Sequence, residues 1–378
     1  MNILVAPDKF KGSLTASEVC EAIEAGVKKF NSKFQVRPVP LADGGEGTLS
    51  VLASNMALQK MVVTVVDPLF RPVMAEYLMR ENTAFIEMAA ASGLELLTSA
   101  ERNCLYTTTL GTGQLIKDAI QNGATEIYLF IGGSATNDAG IGMASALGYS
   151  FLDEQGEPVK PIGENLVLIE DFYLQQPGFD WQEISFYVVC DVENRLFGPR
   201  GAAWVYAAQK GANEEAIRLL DDGLMKFGKL MHKKLGRDIA SVKGSGAAGG
   251  LGAGAMAFLN ASRKSGIQTV MDIVGLENLV KEADLIISGE GKFDRQTLEG
   301  KVVAGVGSIA VKYHRPFGVI CGIKDDSLTD KDLIKLGISK LLTLKKDDMP
   351  LGYALQNARN LLVARSEELI RNLCPHSL

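Results

Sequence analysis

Acidic side chains in glycine-rich segments are the residues of this sequence best suited to chemistry. Asp43-Gly44-Gly45-Glu46-Gly47 follows a strand-like run and precedes a helix-like one. Glycines let a backbone approach a ligand closely, and a helix N-terminus attracts anions. A carboxylate placed there can hold Mg²⁺ or accept the proton of a hydroxyl group. Asp43 is therefore a candidate catalytic residue and metal ligand, and Gly44 and Gly45 are candidate substrate contacts. The alternative is that Asp43 and Glu46 only cap the loop and the helix.

A second glycine-rich segment, residues 132–138, follows an apolar run typical of a buried strand. The backbone amides and hydroxyl groups of such a loop can surround a phosphate. Gly132, Gly133, Ser134 and Asn137 are therefore candidate phosphate or substrate contacts. The alternative is a tight strand-to-helix connection in which Asn137 or Asp138 caps the helix.

Asp191 stands directly after another apolar run, residues 187–190. An acid at the tip of a buried strand is well placed to act as a catalytic base or a metal ligand. The alternative is an Asx-turn that closes the strand.

Lysines occupy two further segments behind strand-like runs. Residues 8–13 carry Lys9, Lys11 and Ser13, and a lysine can neutralise a carboxylate or a phosphate as a point charge. A solvated loop is the alternative. Residues 288–294 add a further lysine and two acids at another strand end, from which we take Lys292 as a substrate contact and Asp294 as a metal ligand.

Two segments match familiar nucleotide-binding motifs in part, but neither has the surrounding elements or residues that its motif requires. Residues 244–249 match a dinucleotide fingerprint, but a poor strand precedes them and no βαβ unit surrounds them. Residues 223–229 spell most of a Walker A motif, but Leu230 stands where serine or threonine is required. The sequence therefore does not favour a dehydrogenase or a P-loop enzyme.

The elements that position these segments alternate between strand and helix at both ends of the chain. The N-terminal part predicts a strand at 3–6, a helix from about Thr15 with a capping box, a strand at 35–39 and a helix near Thr48. The C-terminal part predicts strands at 285–287, 317–321 and 340–344, and helices at 302–313 and from about 351. The middle predicts an antiparallel pair at 61–66 and 74–79, strands at 85–88, 127–131 and 186–190, and helices at 112–121 and 212–235.

This order predicts an α/β protein with one domain inserted into another. Residues 1–65 plus 278–378 would form a discontinuous, Rossmann-like domain with a parallel sheet. Residues 66–277 would form the inserted, mixed α/β domain.

Composition limits the function further. The chain has 378 residues, of which 47 % are hydrophobic and 22 % charged, and its formal net charge is −6. The sequence has no long basic cluster, so we expect no nucleic-acid partner. Five widely spaced cysteines without a C-x-x-C pair indicate reduced thiols. We see no signal peptide and no membrane-spanning stretch, so we expect a cytoplasmic protein without membrane association, and a homo-oligomer stays open.

Taken together, these segments resemble the bacterial glycerate kinase family, of the glycerate 2-kinase-like type 1. The resemblance extends over essentially the whole chain. It rests on residues 6–13, 42–48, 85–94, 111–113, 131–138, 190–192, 209–212, 246–250 and 289–294. The sequence departs from the family at three places: Arg195, Ala208 and residues 292–293.

The resemblance implies a Rossmann-like domain interrupted by a second domain, with the active site in the interdomain cleft. It implies ATP as donor, glycerate as acceptor and 2-phosphoglycerate as product. In the mechanism we expect, Asp43 or Asp191 accepts the hydroxyl proton, and the other binds Mg²⁺, with Asp294 as a further candidate ligand. The alternatives are a kinase of another hydroxy acid and a non-catalytic sensor of small acids.

Overall fold

The computed structural model of the chain describes residues 1–175, 178–298, 300–346 and 348–374. Its strands are β1 (Asn2–Val5), β2 (Gln35–Pro38), β3 (Gln59–Val66), β4 (Pro72–Arg80), β5 (Thr83–Glu87), β6 (Glu126–Phe130), β7 (Tyr149–Leu152), β8 (Asp171–Leu174), β9 (Ser185–Val189), β10 (Ser262–Lys264), β11 (Leu285–Phe293), β12 (Phe317–Lys324) and β13 (Lys340–Thr343).

The α-helices are α1 (Ala16–Phe30), α2 (Thr48–Asn55), α3 (Ala89–Ser92), α4 (Leu110–Gln121), α5 (Ile141–Ala146), α6 (Ala202–Tyr206), α7 (Glu214–Leu235), α8 (Leu251–Phe258), α9 (Gly266–Ile273), α10 (Leu276–Glu282), α11 (Arg295–Leu298), α12 (Val302–Lys312), α13 (Asp330–Lys335), α14 (Leu351–Gln356) and α15 (Ala358–Leu373). Short 3-10 helices lie at Leu94–Leu96, Gly163–Leu168, Trp181–Glu183, Ala208–Lys210 and Ala247–Gly250.

The chain divides into two compact units that interrupt each other. The first contains Met1–Asp43, Ser50–Ala57 and Ile267–Leu378, and the second contains Gly44–Leu49 and Leu58–Gly266. The expected boundaries near 65 and 278 lie further along the chain than these. The first differs because β3 pairs with β4 in the sheet of the second unit. The second differs because α10 and nearly all of α9 pack within the first unit.

The first unit is built on a parallel sheet with the strand order β13-β12-β11-β1-β2. On one face, β1 and β11 bury apolar side chains against α1 and α15, and the alternate residues face α10 and α12. The expected parallel sheet is therefore confirmed. Counted along this unit, the strand order is 2-1-3-4-5, as in flavodoxin-like sheets, where ligands bind beyond the carboxyl ends of strands one and three. In this unit those strands are β1 and β11.

Helix α1 forms where the sequence predicts it. The Thr15 hydroxyl accepts a hydrogen bond from the Glu18 N–H, and the Glu18 carboxylate accepts one from the Thr15 N–H at 2.8 Å. This capping box satisfies two backbone donors at the start of the helix. Val19, Ile23 and Val27 recur at helical spacing, and all three are buried against the sheet. The helix ends before Asn31, an extended residue whose N–H caps it.

The second unit contains a mixed sheet with the order β10-β9-β6-β5-β4-β3. Strands β3, β4 and β5 run antiparallel, whereas β5, β6, β9 and β10 run parallel. The expected antiparallel pair and the mixed character of this unit are confirmed. A separate two-stranded sheet joins β7 to β8. The parallel strands end at the segments that begin with Met88, Ile131 and Cys190, which include two of the candidate loops.

Strand β11 is longer than the sequence predicts. We expected a strand at 285–287 followed by a loop, but β11 continues to Phe293 and pairs with β12 along its length. Its glycines read as turn signals, yet they serve close strand packing, since a Cβ on Gly289 would lie 2.3 Å from the Ile320 carbonyl oxygen. The C-terminal helical region is interrupted at Asn357 between α14 and α15.

In the part of the chain that the structure describes, no helix is both long and apolar enough to cross a membrane.

Candidate active site

The carboxyl ends of β1 and β11 carry the acidic residues of the first unit. Asp8 follows β1, and its N–H donates to the Gly289 carbonyl oxygen of β11 at 2.8 Å. The segment that leads to Asp43 runs beside it, because the Leu41 N–H donates to the Pro7 carbonyl oxygen at 2.9 Å. The pairing of β1 with β11 therefore brings residues near 8, 43 and 290 to one edge of the sheet.

Asp8 lies in an environment that disfavours its ionised form. Burial raises the pKa of this carboxyl to about 7, and repulsion by the Asp43 carboxylate adds to the effect. The Lys9 N–H, which donates to Asp8 Oδ1 at 2.6 Å, and the ammonium groups of Lys9 and Lys301 act in the opposite direction. The Asp8 carboxyl is therefore poised to exchange a proton near neutral pH or to accept a cation.

Glu290 is the second acid of this edge, and only 4 % of the residue is exposed. Burial raises its pKa to about 7, and repulsion by Asp8 and Asp294 contributes. The Thr297 hydroxyl donates to Glu290 Oε1 at 2.6 Å, and this bond and Lys301 lower the pKa. Both acids thus have a raised pKa for the same two kinds of reason, withdrawal from water and the charge of a neighbouring acid.

The other predicted residues of the first unit have simpler surroundings. Lys9 and Lys11 are exposed, and the Ser13 hydroxyl donates to the Phe10 carbonyl oxygen at 3.1 Å within its own turn. Lys292 lies on β11 itself and not in a loop, and its ammonium group pairs with Asp294 at 3.2 Å. The expected loop position is therefore wrong for Lys292, whereas Asp294 directly follows the strand.

The two predicted glycine loops meet within the second unit. A Cβ added to Gly132 would lie 3.0 Å from the Gly45 Cα. Gly44 has a φ of +82°, and a Cβ there would lie 2.7 Å from the Gly266 Cα and 3.3 Å from Val189. Only glycine allows backbones to approach this closely in the left-handed conformation. Gly44, Gly45 and Gly132 therefore lie in one neighbourhood of the second unit, where close backbone packing leaves no room for a side chain at Gly44.

Asp191 directly follows β9 in the same unit and is exposed. Its Oδ1 accepts hydrogen bonds from the Ser265 hydroxyl at 2.9 Å and from the Gly266 N–H at 2.8 Å. Gly266 also packs against Gly44, so a single residue, Gly266, contacts both Asp191 and the first glycine loop. These two donors orient the Asp191 carboxylate.

The loop that follows β6 is held by bonds on both sides. The Ala135 N–H donates to the Ser92 carbonyl oxygen at 3.0 Å, and the Leu94 N–H donates to the Gly133 carbonyl oxygen at 2.8 Å. Gly133, with a φ of +74°, is exposed, whereas Ser134 is only 8 % exposed. The loop therefore presents its glycines to solvent on a fixed backbone.

The side chains of Asn137 and Asp138 in this loop differ in their hydrogen bonding. Neither polar atom of the buried Asn137 amide has a hydrogen-bond partner among the described residues. The Asp138 carboxylate accepts hydrogen bonds from Thr109, Gly140 and Gly142, and burial raises its pKa. The helix-capping alternative thus applies to Asp138, which receives the first amides of the α5 region, and not to Asn137.

The sequence of this loop does not reveal its buried cation. Lys210 is 2 % exposed, and its ammonium group donates to the Thr136 carbonyl oxygen at 2.7 Å and to the Ser134 hydroxyl at 3.3 Å. Burial lowers its pKa to about 8, and the nearby Cys104 and Asp138 oppose this shift. Residues 209–211 gave only a weak signal in the sequence, because a lysine in an alanine-rich segment is usually solvated.

Comparison with known proteins identifies the family of this chain. The model of the glycerate kinase family matches residues 3–374. Glycerate kinase of Halalkalibacterium halodurans is 41 % identical over 98 % of this chain and 97 % of its own length. Glycerate 2-kinase of Escherichia coli K12 is 43 % identical over 87 % of this chain and 86 % of its own length. A solved structure from Salmonella typhimurium LT2, provisionally named glycerate kinase 2, matches with a TM-score of 0.87, 38 % identity and coverage of 99 % and 98 % of the two chains.

The chain belongs to the glycerate kinase family. The family, the enzyme class and the α/β fold predicted from the sequence are thereby confirmed. Membership of a kinase family implies small-molecule substrates and ATP as the phosphoryl donor. The interdomain cleft, the cytoplasmic location, the homo-oligomer and the absence of a nucleic-acid partner stay predictions.

The acids at the carboxyl ends of β1 and β11 are the candidate metal ligands of this glycerate kinase family member. Among the described residues, no group of three or more His, Cys, Asp or Glu side chains is arranged to hold a metal ion. Mg²⁺ needs no such group, because it binds through one or two carboxylates together with substrate phosphates and water. Asp8 and Asp43 repel each other in the absence of a cation, and a divalent ion removes that repulsion. Their chemistry therefore fits Mg²⁺.

Proposed function

We propose that this chain transfers the γ-phosphoryl group of ATP to a hydroxyl group of glycerate, with Mg²⁺ as cofactor and 2-phosphoglycerate as product. One observation carries the proposal: in a glycerate kinase family member, two acids with raised pKa values and Asp43 lie at the carboxyl ends of adjacent parallel strands. Doubly wound sheets bind their ligands at this position. The 2-hydroxyl is favoured because E. coli glycerate 2-kinase is 43 % identical.

Mg²⁺ would be held by Asp43 and Asp8. When bound, it neutralises the charge of the transferring phosphates. Asp294, the other predicted ligand, is a weaker candidate, because its carboxylate already pairs with Lys292 and accepts the Gln296 N–H. Glu290 lies deeper, and its hydrogen bond to Thr297 suits it to shaping the charge of Asp8.

Phosphoryl transfer depends mainly on positioning and charge stabilisation. Asp191 accepts the proton of the glycerate hydroxyl group, while Ser265 and Gly266 orient its carboxylate through Oδ1. The Gly132, Gly133 and Ser134 loop contacts the phosphates of ATP. The exposed Lys9 and Lys11 supply positive charge for the glycerate carboxylate or for the γ-phosphate, and Lys292 supplements them.

The test is ADP release from ATP and Mg²⁺ with and without glycerate. We expect glycerate-dependent release in the wild-type chain. We expect Asp191→Asn to lower kcat by about 10²–10⁴-fold, the usual contribution of a general base. Asp43→Asn should instead raise the Mg²⁺ concentration needed for half-maximal rate by at least about tenfold, since one of two carboxylate ligands is lost. Asp222→Asn, at an exposed position of α7, is the matched control.

Near wild-type values in both variants would refute the assignment of roles. Release of ADP without a dependence on glycerate would refute the substrate. A panel with tartronate and sugar acids tests the alternative of another hydroxy-acid kinase, and phosphorus NMR of the product distinguishes the 2-phosphate from the 3-phosphate.

A further inference from the structure

A buried lysine lies directly behind the loop that follows β6. Lys210 has no ion pair with an acid anywhere in the described parts of the chain. The nearest acid, Asp138, is already engaged by donors from Thr109, Gly140 and Gly142. A buried charge without a counter-ion is rare and costly. An anion near this loop would remove part of that cost.

The hydroxyl of Ser134 contacts this charge, and Ser134 directly follows the exposed Gly133. Ser134 Oγ accepts the Lys210 ammonium group at 3.3 Å and the Thr136 N–H at 3.1 Å. Because both lone pairs are then used as acceptors, the hydroxyl proton is free only to donate. A neighbouring cation also makes a hydroxyl group a stronger donor.

That proton has two internal acceptors, both on Thr136, and both of these hydrogen bonds are longer than usual. The Thr136 carbonyl oxygen lies at 3.3 Å from Ser134 Oγ, and the Thr136 hydroxyl lies at 3.0 Å. Hydrogen bonds between hydroxyl groups and oxygens are commonly about 2.7–2.8 Å long. The Thr136 carbonyl oxygen is moreover already used by Lys210 at 2.7 Å. An anionic oxygen that reaches the loop is therefore a better acceptor than either internal one.

We propose that Lys210 is a positioning residue that turns the Ser134 hydroxyl outward as a hydrogen-bond donor to a phosphate of ATP. The inference rests on the proposed function, in which this loop contacts the triphosphate, and it adds the residue that orients the contact. The backbone bonds at Gly133 and Ala135 fix the Cα of Ser134, so only the hydroxyl rotates. The buried, unpartnered amide of Asn137 in the same loop is a second sign that the loop is completed by a ligand.

The test is a double-mutant cycle on nucleotide affinity, with ATP and ADP binding measured by calorimetry. We expect Ser134→Ala and Lys210→Met each to weaken ATP binding by at least about tenfold, as for the loss of one charge-assisted hydrogen bond. The double variant should be no weaker than Lys210→Met alone, because Lys210 acts through Ser134. Ser134→Thr keeps the hydroxyl and should restore affinity, and KM for glycerate should stay unchanged throughout.

Three outcomes overturn the inference. Unchanged ATP affinity in Ser134→Ala shows that the hydroxyl makes no contact. Additive effects of the two substitutions show that Lys210 acts independently. A rise in KM for glycerate alone shows that the loop binds the carboxylate of the acceptor.

A second measurement tests the inference without any Lys210 variant, in case that variant does not fold. Wild-type ATP affinity should fall as pH rises through about 8, where Lys210 loses its proton, and Ser134→Ala should abolish most of this fall. Cys104, whose pKa burial raises to about 11, and Asp138 are the titratable groups that face Lys210. An equal fall in both proteins refutes the relay. ATP binding is measured without glycerate. If the effects of the Ser134 and Lys210 substitutions on ATP affinity are coupled but the chain does not phosphorylate glycerate, only the proposed function is overturned.

Discussion

Replacement of Glu290 by glutamine should stabilise the protein, and more so at high pH. The folded chain raises the pKa of this carboxyl from 4.5 to about 7. The sign follows from proton linkage: the unfolded chain loses the proton first, so the folded state loses stability as pH rises from the unfolded pKa to the folded pKa. Glutamine has no proton to lose and still offers an oxygen to the Thr297 hydroxyl.

The magnitude follows from the two pKa values. At about pH 5 the ionisation of this carboxyl favours the unfolded state by roughly 0.8 kcal/mol, and at about pH 8 by roughly 3.3 kcal/mol, so the difference is about 2.5 kcal/mol. For a unit of this size, about 2.5 kcal/mol corresponds to about 5–10 °C in Tm.

The assay is thermal unfolding of wild type and Glu290→Gln, without Mg²⁺, at about pH 5 and about pH 8. The Tm difference between variant and wild type should be larger at the higher pH by about 5–10 °C. Effects of the substitution on packing do not depend on pH, so they cancel when the Tm differences at the two pH values are compared. Glu277→Gln on α10 is the matched control: Lys312 and Tyr313 lower the pKa of this exposed carboxyl, so its substitution should change Tm equally at both pH values. An equal Tm difference for Glu290→Gln at both pH values would refute the reasoning.

Three further predictions concern a cap, a glycine and a lysine. Thr15→Ala removes the capping box of α1 and should cost about 1 kcal/mol in the free energy of unfolding, measured with urea. Gly249→Ala should lower Tm clearly more than Gly236→Ala, since both have a φ of +67° but only at Gly249 would a Cβ meet a backbone oxygen, at 2.0 Å. Lys301→Met should move the acid limb of the pH–rate profile to higher pH, because this ammonium group lowers the pKa of both raised acids.

Local patterns in the sequence predicted the elements of this fold well. The capping residue Thr15 and the apolar spacing of α1 are properties of one short segment, and so are the alternating residues of β3 and β4. Strand β11 escaped this reasoning, because Gly289 and Gly291 signal a turn unless the partner strand is known. Parallel pairing joins residues that are far apart in the chain, as in the bond from Ser288 to the Ala6 carbonyl oxygen.

The same limit explains which site residues the sequence missed. Asp43, Gly132 and Asp191 stand in conspicuous segments after strands, and residue type alone marked them as candidates. The raised pKa of Glu290 and the burial of Lys210 depend on side chains contributed by distant segments, and no local composition signals them. Groups perturbed in this way concentrate at functional sites, so the structure adds candidates through their surroundings and not through their type.

The two units contain buried charges of opposite sign, and in both the charged form is disfavoured. In the first unit, burial and repulsion by neighbouring acids raise the pKa of Asp8 and Glu290 to about 7. In the second unit, burial lowers the pKa of Lys210 to about 8. Packing alone gains nothing from either arrangement, since apolar residues of similar volume would cost less. A cation relieves the acids and an anion relieves the lysine. Each cluster would therefore be stabilised by a ligand of the opposite charge, which is a physical reason for a fold to retain it.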